Sequence, residues 1–200
     1  MDVVSALQAG LPVLLPTDTV YGLAARADET GTRAVYELKG RETRQPIALL
    51  AATVDDLVRA IPELDRSLLE ALLPGALTLV VPNPARRFPW ITGDTPDRIG
   101  VRVPNLPEEA GAAVTAVGVV LATSANEPGE LAAASLDEVP ARIRRAVAAE
   151  VDAGLLPGTA STVIDLTQPE PVILREGAVP ASEALSTISA WRSRSKPSTS

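Results

Sequence analysis

The sequence predicts an α/β domain: an open, mixed sheet with helices packed on it. Two observations carry this. Segments with strand character alternate with segments of helical spacing through much of the chain, and several of the strands are apolar throughout, as strands buried on both faces are. Apolar residues make up 46% of the 200 residues but aromatics only 2%, so the core is built from Leu, Val, Ile and Ala.

Residues 2–9 form a short helix stopped by Gly10. LPVLLPT (11–17) is a strand running into a turn, and YGLAARA (21–27) returns as a second strand. ETGTRAVYELKG (29–40) has helical spacing, with Gly40 where a helix-ending left-handed glycine belongs. IALLAA (47–52) is a continuous apolar strand. The helix of 53–61 opens with Thr53 and Asp56 in capping-box positions, and another helix covers about 65–73. ALTLVVP (76–82) is a strand, and 83–98 is a long loop rich in Pro and Gly, a candidate cover over a site. IGVRVP (99–104) is a strand, followed by a helix near 107–117 with Pro107 in its first turn. A strand at 117–126 ends in a polar turn. The stretch 135–150 reads as one helix with Ser135 and Glu138 as its capping box and Pro140 in its early part. Strands at 161–166 and 171–177 precede a terminal helix at 180–191. The domain is expected to span 1–190, with 191–200 a frayed tail.

Composition removes several chemistries. The chain has no cysteine and no histidine, so a thiolate zinc site, a cysteine nucleophile and the commonest general base are all excluded. A net charge of −7 argues against broad nucleic-acid binding, though not against a local basic cleft. No apolar run reaches the roughly 20 residues that span a membrane. The reading is a soluble, cytoplasmic protein working with charge, hydroxyls and backbone amides.

Ligands of open α/β sheets bind at strand ends, and polar groups collect at such places here. PTDTVYG, with Thr17, Asp18 and Thr19, reads either as a self-bonded turn or as the hydroxyl-lined wall of a pocket. TSAN, with Ser124 and Asn126, is a turn or a small anion nest. Arg102, flanked by valines, is a structural ion pair or a fork aimed at a carboxylate. Lys39 is the only lysine before the tail in a chain with sixteen arginines. The helix dipole favours a cation there, so a helix-end role contributing little stability is one reading. A point charge paired with Arg41 toward a polyphosphate is the other. No P-loop or Rossmann glycine motif occurs.

Taken in order, LPTDTVYGLAA, ELKGR, PGALTLVVP, GVRVP, ATSAN, STVIDL and ILREGA resemble the YrdC-like family of threonylcarbamoyl-AMP synthases, over about residues 10–180. The resemblance implies the short, single-domain form, with a twisted sheet around a deep, positively lined cleft. It implies synthesis of L-threonylcarbamoyl-AMP from L-threonine, bicarbonate and ATP, with Mg²⁺ accompanying the ATP. The product passes to a threonylcarbamoyl transferase complex that modifies a tRNA adenosine next to the anticodon, and tRNA itself is a candidate weak ligand. Carried over by position, Lys39 and Arg41 are the catalytic pair. Lys39, Arg41, Gln45, Ser124, Asn126 and Arg175 face ATP, while Thr19, Arg102 and Ser161 hold threonine. Gln45 stands where many members have lysine, beside Arg44, and Leu50 where some have histidine. Two alternatives remain at this point: a YrdC-like module that binds RNA or nucleotide without turnover, and a carbamoyltransferase domain that forms carbamoyl-AMP.

Overall fold

The structure is a computed structural model that describes residues 1–40, 42 and 44–195. Nine strands form one mixed sheet in the order β7-β1-β2-β6-β3-β5-β4-β8-β9. They are β1 (Val13–Pro16), β2 (Tyr21–Arg26), β3 (Ala48–Ala51), β4 (Leu77–Pro82), β5 (Arg98–Arg102), β6 (Val119–Ser124), β7 (Ala149–Glu150), β8 (Thr162–Asp165) and β9 (Val172–Arg175). The hairpin read at 11–27 is present: β1 and β2 pair antiparallel from Val13↔Ala24 to Pro16↔Tyr21. Parallel pairs β1/β7, β3/β5 and β4/β8 make the sheet mixed.

The helices are α1 (Val3–Gln8), α2 (Glu29–Lys39), α3 (Val54–Ala60), α4 (Arg66–Leu72), α5 (Glu108–Val117), α6 (Ala141–Ala146) and α7 (Ala181–Ser195). Their ends follow local chemistry. Asp28 caps α2 by accepting from the Gly31 amide at 2.8 Å, and Gly40 ends it at φ +57°. Thr53 caps α3 by accepting from the Asp56 amide at 3.1 Å, the first half of a capping box, but the Asp56 carboxylate reaches back to accept from the Thr53 hydroxyl, at 2.7 Å, rather than from its amide.

Because side chains alternate across a strand, the sheet has two faces with different fates. Leu23, Leu49, Leu79, Val101 and Leu121 point to a large core shared with α2, α3, α4, α6 and α7. Leu15, Ala24 and Val120 point the other way, into a smaller core closed by α1 and α5. Those two helices cover only part of that second face. The remainder, floored by small residues such as Gly22, Ala48, Gly100 and Ala122, is open and forms a cleft.

The readings of 135–150 and of the terminal helix differ from expectation. The helix read over 135–150 is a 3-10 turn at Leu136–Glu138, then α6, then β7. Pro140 has no N–H and forces its predecessor to be extended, so Val139 sits at φ −66°, ψ 127° and the helix restarts after the proline. Ser135 makes no side-chain cap; Glu138 instead accepts from the Ala134 amide at 2.7 Å. Helix α7 continues through Ser195, past the break expected at 191. Among the described residues no helix is long and apolar enough to cross a membrane.

Candidate active site

The β1–β2 connection comes first. Thr17 Oγ1 accepts from the amides of Thr19 and Val20, both at 3.2 Å, and donates to the Val20 carbonyl at 2.7 Å. Thr17 therefore spends its hydroxyl on the turn. That frees Asp18 and Thr19 to face β5, where Arg102 Nη2 donates to Asp18 Oδ1 at 2.5 Å and to Thr19 Oγ1 at 2.8 Å. Both readings of PTDTVYG hold at once: a self-bonded turn and a wall of the cleft.

Arg102 is 9% exposed, and its Nε is the single buried side-chain nitrogen or oxygen among the described residues without a hydrogen-bond partner. Burial pushes its pKa below the ordinary arginine value; Asp18 opposes this, and the like charge of Arg175 adds to it. Arg175, at the end of β9, donates to the Ser161 carbonyl from Nε (3.1 Å) and Nη2 (2.8 Å) and to Ser161 Oγ (3.2 Å). Burial lowers its pKa too. Ser161 Oγ also shares a hydrogen bond with Thr78 Oγ1 at 2.8 Å. Thr78 escaped the sequence reading; its signal is a hydroxyl inside the apolar strand ALTLVVP, two residues from Val80 and thus on the same face.

Lys39 is not a solvent-facing helix end. It is 4% exposed, and Nζ reaches 85 residues along the chain to the Ser124 carbonyl at 2.8 Å. It also donates to Asn126 Oδ1 at 3.0 Å and to the Asn126 carbonyl. Ser124 Oγ donates to the same Oδ1, and Asn126 Nδ2 donates to the Glu130 carbonyl at 2.6 Å. The lysine thus knots the TSAN turn to the end of α2. The expectation that it contributes little stability is corrected by this burial.

The rim on the α2 side is the segment 44–47. Gln45 is exposed at the surface, and its carbonyl accepts from the Tyr36 hydroxyl at 2.6 Å, while Arg44 and Pro46 line the cleft. Arg41 lies outside the described residues. The 83–98 loop is no hinged cover. Asn83 bonds the backbone of Arg87 and Pro96, Ile91 is fully buried, and the Ile47 amide donates to the Ile91 carbonyl at 2.8 Å. Gly93, at φ +58°, packs so closely that a Cβ there would lie 2.1 Å from the Arg44 carbonyl oxygen. The loop instead contributes Asp94 and Thr95, next to Arg98 of β5, to one end of the cleft.

The cleft has a volume of about 540 Å³, the size of a small-molecule site. Of the residues singled out from sequence, Thr17, Arg44, Leu50, Arg102, Ser124, Ser161 and Arg175 line it, with Leu50 beside Arg102 in the β3–β5 register. Thr19, Lys39 and Asn126 stand behind that lining, holding parts of it in place. Four guanidiniums, those of Arg44, Arg98, Arg102 and Arg175, against one carboxylate, Asp94, give this partly enclosed space a net positive lining that suits an anionic ligand. With neither cysteine nor histidine in the chain, catalysis here works by placement and charge.

Residues 5–177 match the Sua5/YciO/YrdC family, described as "Telomere recombination". A Mycobacterium leprae (strain TN) protein with a provisional threonylcarbamoyl-AMP synthase name is 38% identical over 88% of this chain and 81% of its own. The structure of Pyrococcus abyssi Sua5 complexed with L-threonine is 32% identical with a TM-score of 0.83, over 92% of this chain. This chain covers 56% of that longer protein. Escherichia coli YciO is 25% identical, with a TM-score of 0.79 over 91% of this chain and 90% of its own.

Proposed function

This chain belongs to the Sua5/YciO/YrdC family, and we propose that it is a threonylcarbamoyl-AMP synthase, joining L-threonine, bicarbonate and ATP and releasing pyrophosphate. The observation that carries the reading is the arginine pole of the cleft. Arg102 and Arg175 both line the cleft, Arg175 close enough to raise the cost of charging Arg102, with the Ser161–Thr78 hydroxyl pair beside them. That is a place for a small carboxylate that also offers hydroxyl partners. Relatives named threonylcarbamoyl-AMP synthase, and one solved with L-threonine, support the assignment.

The chemistry needs no protein nucleophile. The threonine amine adds to bicarbonate, with loss of water, to give a carbamate. A carbamate oxygen then attacks the α-phosphorus of ATP, and the bond to the β-phosphate oxygen breaks as pyrophosphate leaves. Arg102 takes the threonine carboxylate, with Thr19 behind it and Ser161 alongside. Ser124 and the TSAN turn, held by Lys39 and Asn126, present donors to the phosphates. Arg175 and Arg44 add cationic charge to the cleft wall. The partly enclosed cleft also limits the access of water to the labile carbamate. Among the described residues no group of three or more carboxylates could hold a metal unaided. Mg²⁺ fits as an ion arriving on the ATP phosphates, as it commonly does, with Asp94 the carboxylate on the cleft wall. When bound it supplies charge neutralisation on the departing pyrophosphate. The product would pass, in the cytoplasm, to a transferase complex that modifies tRNA.

The test is product analysis. The protein is incubated with Mg-ATP, bicarbonate and L-threonine, and threonylcarbamoyl-AMP is followed by mass spectrometry alongside pyrophosphate. The reading expects both products only when all three substrates are present. Pyrophosphate release without threonine would point to carbamoyl-AMP chemistry or plain ATP cleavage. ATP binding without any release would leave a binding module.

A further inference from the structure

The way Arg102 is tied decides what it can offer a ligand. A guanidinium carries five N–H groups. Its two usable forks, Nε with Nη2 and Nη1 with Nη2, share the Nη2 nitrogen. Here Nη2 is engaged twice, by Asp18 Oδ1 at 2.5 Å and by Thr19 Oγ1 at 2.8 Å. Every hydrogen bond that Arg102 makes to a described residue goes through that nitrogen. The Nε, on the other limb, is buried without a partner. Asp18 is itself fixed: its second oxygen accepts from the Asn105 amide at 2.9 Å, just beyond β5. The carboxylate is therefore held between the hairpin and the strand that bears Arg102.

We infer that Asp18 is a positioning residue for the amino-acid substrate: with Thr19 it occupies Nη2, so that Arg102 presents remaining N–H groups to the substrate carboxylate. This rests on the reading of the arginine pole as the threonine site. Asp18 does not touch the substrate. It sets the plane of the guanidinium and offsets part of its charge. A full two-bond fork is closed to the substrate while Asp18 and Thr19 are in place, so the carboxylate needs a second donor, and Arg175 and Ser161 stand on the same pole.

The experiment is a double-mutant cycle on steady-state kinetics, varying L-threonine and ATP separately. Asp18→Asn retains the shape but cannot accept from both Arg102 and Asn105 while repelling neither. The expected result is a threonine KM raised about tenfold or more, as for loss of a charge-assisted hydrogen bond, with the ATP KM changed less than about twofold. On an Arg102→Ala background the same substitution should add nothing further to the threonine KM. Asp18→Glu, which restores the charge, should recover most of the loss. Additive effects with Arg102→Ala, or equal losses toward ATP and threonine, would mean Asp18 merely supports the fold. A lower threonine KM in Asp18→Asn would mean that Asp18 competes with the substrate for Arg102. Either result overturns the inference, as does an unchanged KM. A wild-type enzyme with no threonine dependence overturns the substrate reading and this inference with it, whereas a threonine-dependent wild type with a silent Asp18→Asn overturns this inference alone.

Discussion

Two buried cations serve this cleft, and they are bonded in opposite ways. Lys39 puts its ammonium against three protein oxygens, the carbonyls of Ser124 and Asn126 and the Asn126 side chain. Among the described residues, Arg102 sends its hydrogen bonds through one nitrogen and leaves Nε without a partner, with Arg175 as a like charge nearby. The first arrangement turns a cation inward and shapes a loop. The second leaves a buried cation on the cleft wall with N–H groups not spent on described residues. Residue type does not separate the two roles; the destination of each N–H does. The same contrast divides the lining, with Ser124 presented by a lysine knot and Ser161 presented by Thr78 and Arg175.

The contrast is broken most severely at the lysine. Lys39→Ala strands two buried carbonyls, a loss of about 3 kcal/mol. In a chain of this size that lowers Tm by roughly 6–12 °C. Thermal unfolding of the purified variant measures it, and a wild-type Tm would mean the knot holds nothing. Arg102→Ala should act on the other side of the comparison. It should raise the threonine KM by about 10- to 100-fold while sparing the ATP KM, which substrate titrations distinguish. Gly177→Ala sharpens the comparison at the backbone: its Cβ would lie 2.1 Å from the Ala160 carbonyl oxygen and 2.7 Å from that of Ser161. Something must move, at about 1–3 kcal/mol, and Ser161 should move with it, so stability and threonine affinity should fall together. Thr78→Val is the mildest. It removes one neutral hydrogen bond to Ser161, about 1 kcal/mol, and should weaken threonine affinity by only a few fold because Arg175 still holds Ser161.

Much of this was legible in the chain. Apolar runs and caps located the strands, and the hairpin, Gly40 and the Thr53 cap behave as local chemistry dictates. The scarcity of lysine drew attention to Lys39, which the fold buries behind the cleft lining rather than on it, and the valine-flanked Arg102 does lie on the cleft. The face of β5 could have been read further. Arg98, Gly100 and Arg102 alternate, so two charges and a bare backbone share one face that no helix can cover comfortably. What stayed hidden depends on contacts between distant segments. Lys39 finds its oxygens more than eighty residues away, and Asp18 finds Arg102 at a similar separation. Gly93 and Gly177 matter because backbone lies against backbone, a contact that neither periodicity nor motif records. The helix read at 135–150 failed for a local reason that was in view, the Pro140 ring, and was given too little weight against a favourable helical pattern.

The most direct test of the two-sided cleft is a paired titration of pyrophosphate release, with threonine and ATP varied in turn, for wild type, Arg102→Lys and Ser124→Ala. Arg102→Lys keeps the charge but puts all its donors on one nitrogen at the end of a shorter stem, where they cannot reproduce the separated positions of the guanidinium nitrogens, so it should move the threonine KM alone. Ser124→Ala should move the ATP KM alone. If both variants shift the same substrate's KM, the division of labour between the lysine knot and the arginine pole is wrong.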